Sequence, residues 1–428
     1  MTTNWSGVER KSRSPIRLTD PDEPQNDIQE GAQGEATTGV EPDALTDVAQ
    51  EKEQEATVSN TAGPVIDSVP AALPVQPSVE RPLVSGRRSA SILRKENVND
   101  QLPPATGWQS FIRSITFGMI TPKVGAAELA RRTDLSAIQR VYSRPMQIMV
   151  AQPLGGVGKT TCSVGIGSTF GIHSGQNAIM WDNNEMMGTA GVRTNSNEST
   201  RTVWDLLNVL EKFETVSARK GDFTFYTRHQ GKNQFSVLAS DEDPDRMSSI
   251  GAEEFNRIHT VVSRFYDTII VDTGNNTRSA NWLASIEVTD QLVIPTTLKR
   301  NSVVSALRMI EQLETMSERT GNPHYKRLVD NAIVIVTQGG GAKASAAEQA
   351  DLREKLGSAV RTIIDIPYDA ALDTGSIIDW QLVGDPARRA FERVTAEIAA
   401  GLLEVDSRPS PRLTSNSTTA ISGSTITQ

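Results

Sequence analysis

The chain has almost no cysteine: Cys162 is the only one in 428 residues. That excludes a disulfide framework and a thiolate metal cluster. Histidine is nearly as scarce, and His173, His229, His259 and His324 are scattered without ligand spacing, so solvated or core roles are expected for them. Aromatic side chains are missing from a whole region, with no Phe, Tyr or Trp between Trp5 and Trp108. Bases are missing from much of the same region: fourteen acids stand against the single Lys52 between Thr19 and Glu80. Such a segment buries too little apolar surface to offset its ordering entropy, so residues 1–106 are expected to be a disordered, acidic, Pro-rich arm. Long apolar runs are absent too. Nothing approaches the ~20 residues that cross a bilayer, and the N-terminus does not read as a signal peptide, so a cytoplasmic protein is expected.

The net charge of −9 argues weakly against nonspecific nucleic-acid binding, but the arm dominates that sum. Residues 81–95, RPLVSGRRSASILRK, reverse the sign through Arg87, Arg88, Arg94 and Lys95. They read as a solubilising linker, or as a docking patch for an acidic surface, phosphate backbone or anionic lipid. Residues 107–145 are expected to be a short helical lead-in. There Trp108, Phe111, Ile112 and Ile115 fall at i, i+3, i+4 and i+7, one stripe of a helix. The opposite face offers only Arg113 as a base, too little for a membrane-surface helix, so packing on the domain is expected.

From Met146 onward, apolar runs alternate with helical patterns. The runs Met146–Ala151, Asn177–Trp181, Phe235–Ala239, Asp267–Asp272, Asp290–Pro295, Asn331–Thr337 and Arg361–Ile366 suit strands buried on both faces. Val203–Phe213 and Ser302–Met316 carry helical periods, and Phe391, Val394, Ile398 and Leu402 mark the buried stripe of a last helix. This alternation predicts an α/β fold: a doubly wound, mostly parallel sheet of about seven strands flanked by helices, over residues 146–405. A Ser/Thr-rich disordered tail is expected over 406–428.

One loop carries chemistry. Ala151–Thr161, AQPLGGVGKTT, follows the first strand directly and opens a helix, the context that a phosphate loop needs. Gly155, Gly156 and Gly158 let the backbone turn its amides, with those of Val157 and Thr161, toward phosphate oxygens, and the helix N-terminus adds partial positive charge. Lys159 is expected to bridge the β- and γ-phosphates, and the Thr160 hydroxyl to ligate Mg²⁺. The fold is thus expected to be that of a P-loop NTPase.

The usual spacing would place glycine at position 153, where this chain has Pro153. With that departure and the tight GGVGKTT, the chain resembles the ParA/MinD family of ATPases from about Met146 to Leu403. YDTIIVDTGNN (Tyr266–Asn276) resembles the family's Walker B segment, which implies that Asp272 holds Mg²⁺ through water. WDNNE (Trp181–Glu185) resembles the first switch, usually D-x-D, with Asp182 at its first aspartate and Asn184 at its second. The last strand, loop and helix are similar as well. The run GWQSFIRSIT, WDNN and DTGNN together resemble a branch associated with type VII secretion.

The resemblance implies ATP and Mg²⁺ as cofactors, catalytic roles for Lys159, Asp182 and Asp272, and adenine placed near Thr337–Gln338 and Pro367–Tyr368. It also implies a homodimer formed on ATP. The family's loop carries a lysine that acts across that dimer; here the position is Leu154. A cation acting in trans on a transferring phosphate is worth roughly 10³–10⁵ in rate. With Leu154 and Asn184 in place of the family's charged residues, impaired or borrowed hydrolysis is therefore expected, with Arg193, Lys299 or Arg300 as substitute charges. Two functions follow. The first is a switch that positions DNA or a macromolecular complex, with DNA facing Leu298–Ser302, Arg308, Arg388 and Arg389. The second is a nucleotide-binding adaptor or scaffold with little hydrolysis, for example at a secretion machine, recruiting a protein partner through its arm.

Overall fold

The computed structural model describes residues 103, 105, 107–117, 119, 123–185, 188–195, 199–338 and 344–407. The acidic arm apart from residues 103 and 105, its basic patch and the tail from residue 408 lie outside the described residues.

The apolar runs form one eight-stranded sheet. Its strands are β1 (Met146–Val150), β2 (Ala178–Asn183), β3 (Arg228–His229), β4 (Phe235–Leu238), β5 (Thr268–Thr273), β6 (Gln291–Thr296), β7 (Ile333–Val336) and β8 (Thr362–Asp365). Their order across the sheet is β3-β4-β2-β5-β1-β6-β7-β8. The seven strands expected from the sequence are all present and pair in parallel. The eighth, β3, pairs antiparallel with β4 at the edge and is two residues long, too short to carry a period. From β1 the chain runs out to β2, β3 and β4, returns to insert β5 between β1 and β2, then runs out the other way through β6, β7 and β8. Strands β1 and β5 therefore lie at the centre, and their C-terminal ends open beside each other.

Longer helices cover both faces: α1 (Gly107–Ile115), α2 (Ala126–Ile138), α3 (Lys159–His173), α4 (Ala252–Phe265), α5 (Ala280–Val288), α6 (Arg300–Thr320), α7 (Pro323–Asp330), α8 (Ala346–Gly357) and α9 (Asp385–Asp406). Alternation along β1 divides the core. Ile148 and Val150 face a cluster shared with α2, α3 and α9, while Met149 faces the α5–α8 side. A third cluster joins β2 and β5 to α4, where Trp181 stacks on Phe255 at 4.7 Å. The stripe expected in the last helix is fully buried at Phe391, Val394, Ile398 and Leu402. Helix α3 passes so close to it that a Cβ at Gly165 would lie 2.3 Å from the Phe391 ring. Glycine there costs roughly 1 kcal/mol of helix propensity and allows the two helices to meet.

Two expectations are corrected. Half of the α1 stripe does not pack on the domain: Phe111 is 66% and Ile115 57% exposed, while Ile112 is partly buried. The side chain of Trp108 lies outside the described residues. The contact expected of α1 is made by α2, whose Leu135, Ala137 and Ile138 join the core. Arg131 of α2 further clamps the buried Glu392 of α9 through two hydrogen bonds of 2.7 and 2.8 Å. Periodicity marks an apolar face without saying what covers it. The second correction concerns Val203–Phe213, which is not one helix but two short ones, Val203–Leu207 and Leu210–Glu214. Leu206, Leu210 and Phe213 remain buried across the break, so the apolar spacing survives it.

Candidate nucleotide-binding site

The loop between β1 and α3 turns on two glycines in left-handed geometry, Gly156 (φ 73°) and Gly158 (φ 89°), a conformation costly to a residue with a Cβ. Gly158 caps α3, so the first free amides of that helix open onto the loop. The loop is pinned from below: Thr337 Oγ1 donates to the Val157 carbonyl at 2.9 Å.

Lys159 reaches back over the loop. Its Nζ donates to the carbonyls of Gln152 (2.9 Å) and Leu154 (3.3 Å) and to Asn275 Oδ1 (2.6 Å). Burial holds its pKa below the ordinary lysine value, against the opposing charges of Asp272 and Glu185. Thr160 Oγ1 donates to Asp272 Oδ2 at 2.6 Å and lies 2.8 Å from Thr189 Oγ1. Ser163 Oγ donates to the other oxygen of Asp272 at 3.2 Å. Asp182 sits directly opposite Asp272 across the β2–β5 ladder. It accepts hydrogen bonds from Ser240 Oγ and the amides of Ala190 and Asn184 at 3.0, 3.0 and 3.3 Å. Burial pushes both carboxyls up from the carboxylate range, and the charge of Asp182 raises Asp272 further. Two adjacent buried acids of this kind are stabilised by a cation. Among the described residues, no group of three or more His, Cys, Asp or Glu could hold a metal by itself. The donor set, one hydroxyl and one carboxylate at the foot of a phosphate loop, fits Mg²⁺ completed by phosphate oxygens and water.

These groups line one cavity of about 510 Å³. The structure brings every site residue expected from the sequence into it: Gly155 to Thr161, Asp182, Asp272, Thr337, Gln338, Pro367 and Tyr368. Asn184 lines it too, whereas the side chain of Leu154 does not. Of the three substitute cations, Arg193 lines the cavity and Lys299 and Arg300 do not; Arg300 pairs instead with Glu348 at 3.1 Å. The proposed DNA-facing run Leu298–Ser302 is no continuous basic surface, since Ser302 is buried and bonded to Thr296. Arg388 is paired with Asp385 at 2.8 Å, while Arg389 and Arg308 are exposed.

Sequence reasoning missed Asn275 and Glu185, although both stand inside the quoted segments. The Glu185 carboxylate lies over Gly274, where a Cβ would meet Oε2 at 2.1 Å. Its Oε1 accepts from the Asn276 amide at 3.3 Å, and its buried Oε2 has no hydrogen-bond partner. The contact between Lys159 and Asn275 spans 116 positions, a distance over which no local pattern operates.

No protein-family profile matches the chain, and no curated protein matches it. Solved structures do. They include ATPases of the ParA and MinD kind and a cobyrinic acid a,c-diamide synthase from Mycobacterium smegmatis with bound ADP and magnesium. A ParA family ATPase from Chlorobium tepidum is 15% identical, over 61% of this chain and 98% of its own, with a TM-score of 0.43. The septum site-determining protein MinD of Pyrococcus horikoshii, complexed with Mg-ADP, is 13% identical over 62% and 100%, with a TM-score of 0.45. A variant of Cyanothece McdA complexed with ATP is 20% identical over 60% and 97%, with a TM-score of 0.43.

Proposed function

We propose that this protein is a ParA/MinD-like, ATP- and Mg²⁺-dependent switch that dimerises on ATP and acts in the cytoplasm to position or partition DNA or a macromolecular complex. The observation that carries the reading is the Thr160–Asp272 pair, 2.6 Å apart at the start of α3, directly beneath the glycine loop. A buried carboxylate held on the hydroxyl of a phosphate-loop threonine is arranged for a divalent cation and for little else. The loop amides and the α3 N-terminus would hold the phosphates, and Lys159 would exchange its carbonyl and amide partners for phosphate oxygens. Bound Mg²⁺ would neutralise phosphate charge. Asp182, fixed by three donors, would order water beside the metal. Dimerisation and the choice of DNA, protein or other cargo follow from the family resemblance.

The adaptor reading is favoured by one feature. Lys159 and Arg193 are the only cations that line the cavity among the described residues, and the Leu154 side chain brings none. Hydrolysis by the isolated protein should then be slow. Single-turnover rates for wild type, Leu154→Lys, Asn184→Asp and the double variant test this, with and without DNA. A double variant faster than the two single effects combined supports a missing trans cation. Brisk wild-type turnover ends the adaptor reading.

A further inference from the structure

Arg193 stands in the cavity wall and forms no ion pair among the described residues. Its Nη2 donates to Thr161 Oγ1 at 3.1 Å and to the Leu372 carbonyl at 2.9 Å. Its Nε is buried and has no partner. Both of these acceptors are neutral, and no carboxylate among the described residues forms an ion pair with it. A half-buried guanidinium in this state is costly unless a ligand anion completes it. Burial also depresses its pKa, with the charge of Asp373 in the same wall acting the other way.

Its position says which anion. Lys159 and Thr161 are two residues apart at the start of α3, so their side chains leave the helix roughly 200° apart around its axis. Lys159 turns toward Gln152, Leu154 and Asn275, whereas Arg193 approaches Thr161 from the Leu372 side. Thr160, the residue between Lys159 and Thr161 in the chain, is bonded to Asp272. A phosphate-loop lysine serves the β- and γ-phosphates and the loop amides serve the α- and β-phosphates. The opposite end is the α-phosphate, next to Pro367, Tyr368 and Leu372 of the same wall. The Arg193 carbonyl also accepts from the Ile378 amide at 2.9 Å, which ties this segment to the loop that carries Leu372.

We infer that Arg193 is a binding residue for the α-phosphate of a nucleoside di- or triphosphate, and does not replace the missing cation at the γ-phosphate. The inference rests on the nucleotide reading above. It makes the affinity gain from Arg193 common to ATP and ADP, so the switch would retain its product.

Isothermal titration of the full chain with ATP and with ADP, in Mg²⁺, tests this for wild type, Arg193→Ala and Arg193→Lys, with Lys159→Ala as reference. Arg193→Ala should weaken ATP and ADP by the same factor, about 10- to 100-fold, the worth of one or two charge-assisted hydrogen bonds. Arg193→Lys should recover part of the loss for both. Thermal unfolding of the ligand-free variants reports whether the fold is kept; if Arg193→Ala does not fold, the equality of the two losses is read from Arg193→Lys. Wild-type ADP affinity in a folded variant overturns the inference, and so does a loss confined to ATP. Absence of binding by wild type itself would defeat the nucleotide reading and this inference together.

Discussion

Lys159 Nζ lies 2.6 Å from Asn275 Oδ1 and completes its coordination on the carbonyls of Gln152 and Leu154. An ammonium has three protons, and here all three meet neutral acceptors. The charge is held in place without being cancelled, which leaves it available to phosphate.

Asn275→Asp should therefore be harmful although it changes one atom. A carboxylate there would lock Lys159 as a partner and repel incoming phosphate. ATP affinity should fall at least tenfold, whereas Asn275→Ala should cost less than Asn275→Asp. Titration of a fluorescent ATP analogue compares them. Equal affinities in wild type and Asn275→Asp would mean that the lysine does not move to the ligand.

Glu185 and Gly274 make a second testable pair. Gly274→Ala would drive a methyl into the Glu185 carboxylate, since the new Cβ would stand 2.1 Å from Oε2. Overpacking of this kind costs about 1–3 kcal/mol. Calorimetry should show a lowered Tm for Gly274→Ala and a smaller loss when Glu185→Ala is added, because the two changes share one contact. Strict additivity would show that Glu185 does not occupy that position.

The acid pair predicts a pH dependence. Asp182 and Asp272 are both raised above the ordinary carboxyl value of 3.8 by burial, and Asp272 also by its neighbour. In that window the folded protein keeps protons that the unfolded chain has released, so this pair's contribution to stability is full at low pH and is lost as pH rises through the raised values. In metal-free buffer, the Tm of wild type minus that of Asp272→Asn should fall as pH is raised from the carboxylate range toward neutrality. Mg²⁺ with nucleotide should reduce the slope. A difference that rises with pH would contradict the assignment.

The sequence made the loop legible because its chemistry is contiguous: glycines, Lys159 and Thr160 lie within six positions, Gly155 to Thr160, between a strand and a helix. Asp272 was legible for a similar reason, as the acid that closes an apolar run. The sheet could be read because strands buried on both faces are nearly continuous in apolar residues. What failed was whatever depends on a neighbour. The α1 stripe has the right period, but Phe111 and Ile115 stay exposed while α2 packs on the core. Arg193 reads in the sequence as one of three substitute cations, and only its contacts with Thr161 and Leu372 separate it from the other two. Glu185 carried no signal, because the reason for its position is the missing side chain of Gly274.

On the reading proposed above, ATP binds through Mg²⁺ held at Thr160 and Asp272, with Lys159 on the phosphates. The most direct measurement is a calorimetric ATP titration of wild type, Lys159→Ala and Asp272→Asn, each with Mg²⁺ and with EDTA. Wild-type binding should weaken at least tenfold without Mg²⁺. Lys159→Ala should lose affinity severely under both conditions, and Asp272→Asn should lose most of the Mg²⁺ dependence. Wild-type affinity in Lys159→Ala, or an unchanged Mg²⁺ effect in Asp272→Asn, would contradict it.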